Sequence, residues 1–203
     1  MKWIILSSCL LCFPVFAGPV DSMYDFLKNT TSISADFVQF YDDKRIKEGH
    51  VIIQRLVGFR WAYSNPRQIY VGFRNTLSFY DESLMQIIKH HVMNWDAFPL
   101  SIVLNPSRIS RFRLTSLSSG GNVDFIRLVP KGFSSSSISY ITVGLVKGEP
   151  CYWDIFDATH HHTTLDFYNI VINQPVSEKV FSIVATSGID VIDVSRSSAV
   201  GSF

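Results

Sequence analysis

The sequence predicts a mainly β protein with a few short α-helices, its strands forming an antiparallel sheet curled into an unclosed barrel. Three observations carry this. From Ser34 onward apolar residues recur with period 2, and the segments are rich in β-branched and aromatic side chains. Many short strands follow one another with turn residues between them, which suits a barrel or half-barrel better than a layered α/β fold. The chain of 203 residues is 47% hydrophobic and 17% charged, enough to build one domain around a substantial core. A half-barrel leaves a concave apolar face, and something must cover it.

The elements follow in order. Met1-Lys2 is a short positive start, Trp3 to Phe16 is apolar apart from Ser7 and Ser8, and Val15-Phe16-Ala17 offers small residues for cleavage before Gly18. Residues 1–17 therefore read as a secretory signal peptide, the apolar run being shorter than the ~20 residues a membrane span needs. Residues 18–203 are then a single exported domain. Val20, Met23, Phe26 and Leu27 recur at helical spacing and predict a short amphipathic helix over 20–29. Phe59, Trp61 and Tyr63 alternate with Arg60, Ala62 and Ser64 as a one-sided strand. Leu77 to Tyr80, a turn at Asp81-Glu82-Ser83, and Leu84 to Lys89 read as a hairpin. Further strands are predicted near 111–117, 122–129, 138–146, 150–157, 162–172 and 188–194, with turns at 118–122 and 131–137. Phe98 to Pro106 interrupts the strands. Pro99 suits the first turn of a helix and Asn105-Pro106 its end, but the segment is apolar almost all round, as an ordinary buried strand or core helix would also be.

Charge and cysteine usage narrow the function. Lys and Arg total 18 against 17 Asp and Glu, and cleavage after Ala17 would remove only Lys2, leaving a neutral protein. A neutral chain has no basic field for phosphate backbones, so nucleic acid is not the expected partner. Cys9 and Cys12 form a C-x-x-C inside the signal segment, which leaves Cys151 with no internal disulfide partner. Leu6-Ser7-Ser8-Cys9 also resembles a lipoprotein-processing box, although only about four apolar residues precede the Ser pair where a signal core has ~7–15.

Catalytic motifs are missing: there is no G-x-S-x-G, G-x-G-x-x-G, P-loop or H-E-x-x-H. His160-His161-His162 invites a metal reading, which His90-His91 could join. On a strand, though, only His160 and His162 could share a face, so a polar hairpin turn is expected and no metal or cofactor. Asp154 and Asp157 stand at odd spacing, which places them on opposite faces of a strand. Nothing partners the abundant serines as nucleophiles, and no enzyme is expected. One residue is out of place. Val51, Ile53 and Arg55 form a period-2 set, so Arg55 either projects into the apolar face and bonds backbone carbonyls, or lies in solvent with Ile52 and Gln54 inward. On the residues alone the solvated arrangement is the ordinary one.

Taken together, several short pieces resemble the LolA family. They are Ile33-Ser34-Ala35-Asp36-Phe37-Val38-Gln39, Gly49 leading to Arg55, Gly58-Phe59-Arg60-Trp61-Ala62-Tyr63 with Pro66, Leu77 to Asp81 with Leu84 and Gln86, and Leu128 to Lys131. Asp157, Thr163 to Phe167, Asn169, Phe181 and Gly188 to Ile192 complete the series. Their order and spacing over about 24–194 make the resemblance. The chain departs from it at Leu56-Val57 and Ser187, where the family often has Pro.

The resemblance implies a periplasmic lipoprotein carrier: an unclosed barrel whose apolar interior sits beneath a lid of short helices. The 99–104 segment becomes a lid helix and the 20–29 helix part of the cover. Arg55 matches the family's lid latch, with Leu27, Val103 and Leu104 at the matching lid positions. Phe37, Phe59, Trp61, Phe79 and Leu100 are expected to line the cavity. Implied partners are acylated lipoproteins, an ATP-driven inner-membrane releasing complex of the LolCDE type and an outer-membrane receptor of the LolB type, with the carrier itself a monomer. Two alternatives belong to the same fold. One is a LolB-type receptor lipid-anchored at Cys9, and the other is a LolA-like domain that binds another amphiphile or senses lipoproteins.

Overall fold

The computed structural model describes residues 18–92, 100–117, 121–132 and 138–194. The signal segment 1–17, Phe98-Pro99, and most of the turns expected at 118–122 and 131–137 lie outside the described residues. An α-helix, α1 (Pro19–Asn29), is followed by strands β1 (Ser32–Tyr41), β2 (Lys44–Gln54), β3 (Gly58–Tyr63), β4 (Gln68–Phe73), β5 (Thr76–Asp81) and β6 (Gln86–His91). A short helix α2 (Ser101–Leu104) and a 3-10 turn (Pro106–Arg111) lead into β7 (Phe112–Ser116) and β8 (Val123–Pro130). Then come β9 (Ile138–Val146), β10 (Glu149–Asp157), β11 (His162–Ile172), a second 3-10 turn (Glu178–Phe181) and β12 (Asp190–Asp193).

The twelve strands among the described residues join one open sheet in the order β12-β6-β5-β4-β3-β2-β1-β11-β10-β9-β8-β7. Two antiparallel meanders, β1–β6 and β7–β11, meet where β11 pairs with β1. The unclosed antiparallel half-barrel expected from the sequence is therefore present, with one exception. β12 pairs with β6 in parallel, because the chain returns to that edge along the outer face instead of by a hairpin. The hairpin turn also falls later than expected, at Glu82–Met85. The Asp81 carboxylate accepts from the N–H groups of Ser83 and Leu84, so Leu84 belongs to the turn and does not start a strand.

This strand order explains the lid. β6 and β7 lie toward opposite ends of the sheet, and the described part of the chain joining them, from Leu100 on, crosses the concave side, where it packs into the apolar cluster. That crossing carries α2, whose four residues are all buried, and Ile109 of the following 3-10 turn. Asn105 ends α2, as expected from Asn105-Pro106, and also caps the following 3-10 turn by accepting from Ser107 N–H, so the chain turns once more before β7. α1 begins with Pro19 in its first turn and lays Met23, Phe26 and Leu27 onto the β7–β10 half. The helix spacing read from the sequence thus produces one buried stripe.

Two separate apolar clusters result. The larger fills the concave side and unites the lid with Phe37, Val51, Ile53, Phe59, Trp61, Val143, Trp153 and Leu165. The smaller lies on the outer face, where the C-terminal strap packs Phe181 over Ile69 and Val71. Two glycines let aromatic rings lie flat across the inner strands. A Cβ on Gly72 would sit 2.2 Å from the Phe59 ring, and one on Gly49 2.8 Å from that of Phe37.

Candidate functional site: the covered apolar interior

Strand registers align the inner residues into a row. Ala35 opposes Val51, Val51 opposes Trp61, Trp61 opposes Tyr70, and Tyr70 opposes Phe79. Aromatic rings extend this row sideways: Phe37 lies 4.3 Å from Trp61 and 5.6 Å from Tyr63, with Phe167 at 6.3 Å. Such tilted and edge-on contacts each add about 0.5–1.5 kcal/mol to area burial. Phe37, Phe59, Trp61 and Leu100 are all buried in the inner cluster. Phe79 is only half-buried and stacks on Tyr70 at 4.5 Å, toward the sheet edge.

Beneath the lid a cavity of about 20 Å³ remains, lined by lid residues Phe26, Leu100 and Val103 and by Val51, Trp153 and Phe167 among the sheet residues. Of the residues expected around the cavity, Leu100 lines this space, while Phe37, Phe59 and Trp61 pack behind it. Trp153 and Phe167 were not expected at the cavity. Their period-2 sets, Trp153 with Ile155 and Leu165 with Phe167, carried the signal. A site for a small molecule occupies about 300–1,000 Å³. The interior is therefore closed on itself, its lid side chains occupying the space a ligand would need.

The rim shows how the lid is fastened. Arg55 sits in the turn after β2, not on the strand, so it does not continue the inward line of Val51 and Ile53. Its Nη1 donates to the carbonyl of Lys28 at 3.1 Å. That carbonyl belongs to the last turn of α1, where orphan acceptors and the negative helix end favour a cation. The acceptor is one residue beyond Leu27, the expected position. Leu104 is bound differently from the expectation too: its carbonyl accepts from the backbone N–H of Leu56, at 2.9 Å, and not from the guanidinium. Val103 is buried and lines the cavity. One tight turn thus touches both lid helices, because the Arg55 backbone N–H also donates to Thr31 O, just past α1, at 2.9 Å.

Asn173 was missed and does similar work from the other side. Its Oδ1 accepts from Thr31 N–H at 2.7 Å, and its Nδ2 donates to Asn29 O at 3.1 Å. It stands at φ 60°, a conformation in which Asn is enriched. An isolated Asn after a strand gives no sequence cue to a partner 144 residues away.

Two polar clusters lie off the cavity. Beside the β1–β2 and β10–β11 turns His161 Nδ1 meets Asp42 at 2.6 Å and His162 Nδ1 meets Asp154 at 3.1 Å. The turn expected at the histidines is there, and the fold supplies the carboxylates that local spacing did not. Asp157 accepts from Thr159 Oγ1 and from the N–H groups of Thr159 and His161, which holds its carboxyl below the usual range. On the outer face Ser34 Oγ, His50 and Asp36 form a chain, 2.9 Å and then 2.7 Å, with Asn169 donating to Asp36 at 2.8 Å. The bonds from Asn169 and then His50 lower the Asp36 pKa. A hydroxyl–imidazole–carboxylate chain is one part of acyl-transfer chemistry. Ser34, however, lies mid-strand, paired with both Ile52 and Val171, with no helix start beside it to stabilise an oxyanion.

Comparison with known proteins places this architecture. The sequence is 29% identical to an outer-membrane lipoprotein carrier protein of Nitrosomonas europaea, over 93% of this chain and 96% of that protein. It is 28% identical to the protein of the same description from Neisseria gonorrhoeae, over 87% of each. In fold alone it resembles a conserved protein of Thermus thermophilus described as uncharacterised, with a TM-score of 0.56 at 10% identity, over 86% of this chain and 96% of that one. The sequence profile of the family described as outer membrane lipoprotein carrier protein LolA matches residues 28–184, so the chain belongs to the LolA family.

Proposed function

We propose that this protein is a periplasmic carrier that shelters the acyl chains of lipoproteins released from the inner membrane and delivers them to the outer membrane. One observation carries the proposal: a continuous aromatic and aliphatic interior is covered, among the described residues, by short helices and a 3-10 turn, and the helices are tied at the rim by a few hydrogen bonds. Family membership supports the same cargo. No catalytic step belongs to this function, and loading would draw on an ATP-driven complex of the LolCDE type, with delivery to a LolB-type receptor. Residues 1–17 would serve export and be removed, leaving 18–203 as the carrier domain.

The physics is a competition between lid and cargo. Each buried methylene of an acyl chain is worth about 0.8 kcal/mol. Burying Met23, Phe26 and Leu27 of α1 is worth about 1.5–3 kcal/mol each. Acyl chains that displace the lid side chains thus replace one set of apolar contacts by another, and the net affinity stays moderate. That is what a carrier needs, since it must release what it binds.

Trp61 and Trp153 sit in the interior and report on its occupancy. A lipopeptide with bromine along its acyl chains should quench their fluorescence, and the unacylated peptide should not. Binding of the brominated lipopeptide without quenching of either tryptophan would mean that the chains lie on the surface, and the interior-cargo function would be lost.

A further inference from the structure

The C-terminal strap that covers the outer face borders an open pocket of about 270 Å³, on the side of the sheet away from the lid. Its walls are apolar at Ile69 and Ile183, and its polar lining includes Arg60, Arg67, Tyr80 and Thr186. Among the described residues, two guanidinium groups line this pocket and no carboxylate does. The formal charge of the whole chain is only +1, so this is a local excess of positive charge.

Arg60 is built in. Its position on β3 faces outward, and its Nη1 donates to the carbonyls of Val180 and Ser182 in the strap, both at 3.3 Å. These bonds orient the guanidinium and use only one of its nitrogens. Burial, and then the neighbouring Arg67, lower its pKa. Arg67, in the turn between β3 and β4, makes no side-chain hydrogen bond or ion pair among the described residues. Two like charges held together without a counter-ion raise the energy of the empty pocket, and an anion between them relieves it.

We propose that this outer pocket is a binding site for a phosphate-type oxyanion, gripped between Arg60 and Arg67. Planar guanidiniums match phosphate oxygens in pairs, and one phosphate presents enough acceptors for both. A soluble phosphate and a phospholipid headgroup share this chemistry. The site lies on the opposite face from the acyl-chain interior, so it stands whether or not that interior carries lipoproteins.

The test compares wild type with Arg67→Gln, a change at an exposed residue whose side chain has no hydrogen-bond or ion-pair partner among the described residues, and with Arg60→Lys, which keeps the charge but not the fork. Inorganic phosphate is titrated while the arginine Nε–H signals are followed by NMR. Sedimentation with phosphatidylglycerol and phosphatidylcholine vesicles forms the second arm. The expected result is saturable shifts of both arginine signals, with affinity falling about tenfold to a hundredfold in folded Arg67→Gln and more modestly in Arg60→Lys. Phosphate binding in solution identifies a soluble ligand as sufficient. Binding to phosphatidylglycerol vesicles alone, lost in Arg67→Gln, identifies the headgroup. If neither probe binds, or if Arg67→Gln binds as wild type does, the site is overturned.

Discussion

Replacing Arg55 by Leu should loosen the lid by a predictable amount. The substitution removes one charge-assisted bond, from Nη1 to Lys28 O at 3.1 Å, and a cation from the C-terminal end of α1. Bonds to charged groups contribute about 1.5–3 kcal/mol, and this one is solvent-exposed, which places it at the lower limit. The helix-end charge adds about 0.3–1 kcal/mol. A total near 2 kcal/mol shifts the closed-to-open ratio roughly thirtyfold. The backbone bonds of Arg55 to Thr31 and of Leu56 to Leu104 survive, so the variant should fold and its lid should still close. Where the closed form dominates, acyl chains bind the variant more tightly by up to the same factor, and release weakens equally. A two-step assay separates these effects, scoring loading from a donor and handover to a receptor independently. Arg55→Leu should load normally and stall as a carrier–lipoprotein complex, with Arg55→Lys in between. Wild-type handover by a folded Arg55→Leu protein would refute the latch, and failure to load would indicate that Arg55 contacts cargo directly.

Three further outcomes are expected. Asn173→Ala should cost about 1–3 kcal/mol, since it strands the Thr31 N–H and Asn29 carbonyl and puts Ala at φ 60°; Asn173→Gly should recover only the backbone part, as urea denaturation would show. Acid should destabilise the fold in a defined window. Asp36, held low by Asn169 and His50, and Asp42, held low by the His162 N–H and by His161, have folded pKa values below their unfolded ones. Their contribution is thus present above about pH 4 and is lost as pH falls through the depressed values; melting temperatures of wild type and Asp36→Asn should converge at low pH, and a constant gap down to about pH 2 would contradict this. Intact mass of the exported protein should begin at unmodified Gly18, whereas an acylated Cys9 would indicate a lipid-anchored receptor.

What is legible in the sequence follows periodicity. The α1 stripe of Met23, Phe26 and Leu27 and the alternation of Phe59, Trp61 and Tyr63 point to the correct inward faces, because side-chain direction is a local property of helix and strand. Contacts between distant segments are not legible. Period 2 puts Arg55 in line with Val51 and Ile53, but the chain leaves the ladder at Gln54, and a turn residue no longer obeys that alternation. Its reach to the last turn of α1 depends on which carbonyl the helix end presents, one residue further than expected. The carboxylates beside His161 and His162 come from the β1–β2 turn and from β10, and no local spacing could announce them. The parallel pairing of β12 likewise follows from the route of the strap over Ile69 and Val71.

The central claim is that acyl chains occupy the covered interior, and one comparison tests it directly. Purified residues 18–203 are mixed with a lipoprotein in its acylated form and with the same polypeptide lacking its acyl chains, and complexes are separated by size. Only the acylated form should co-elute, and a Val103→Asp variant, which places a charge against the cavity, should lose it. Equal recovery of both forms would show that the polypeptide is what the protein recognises, and the apolar interior would then be merely its core.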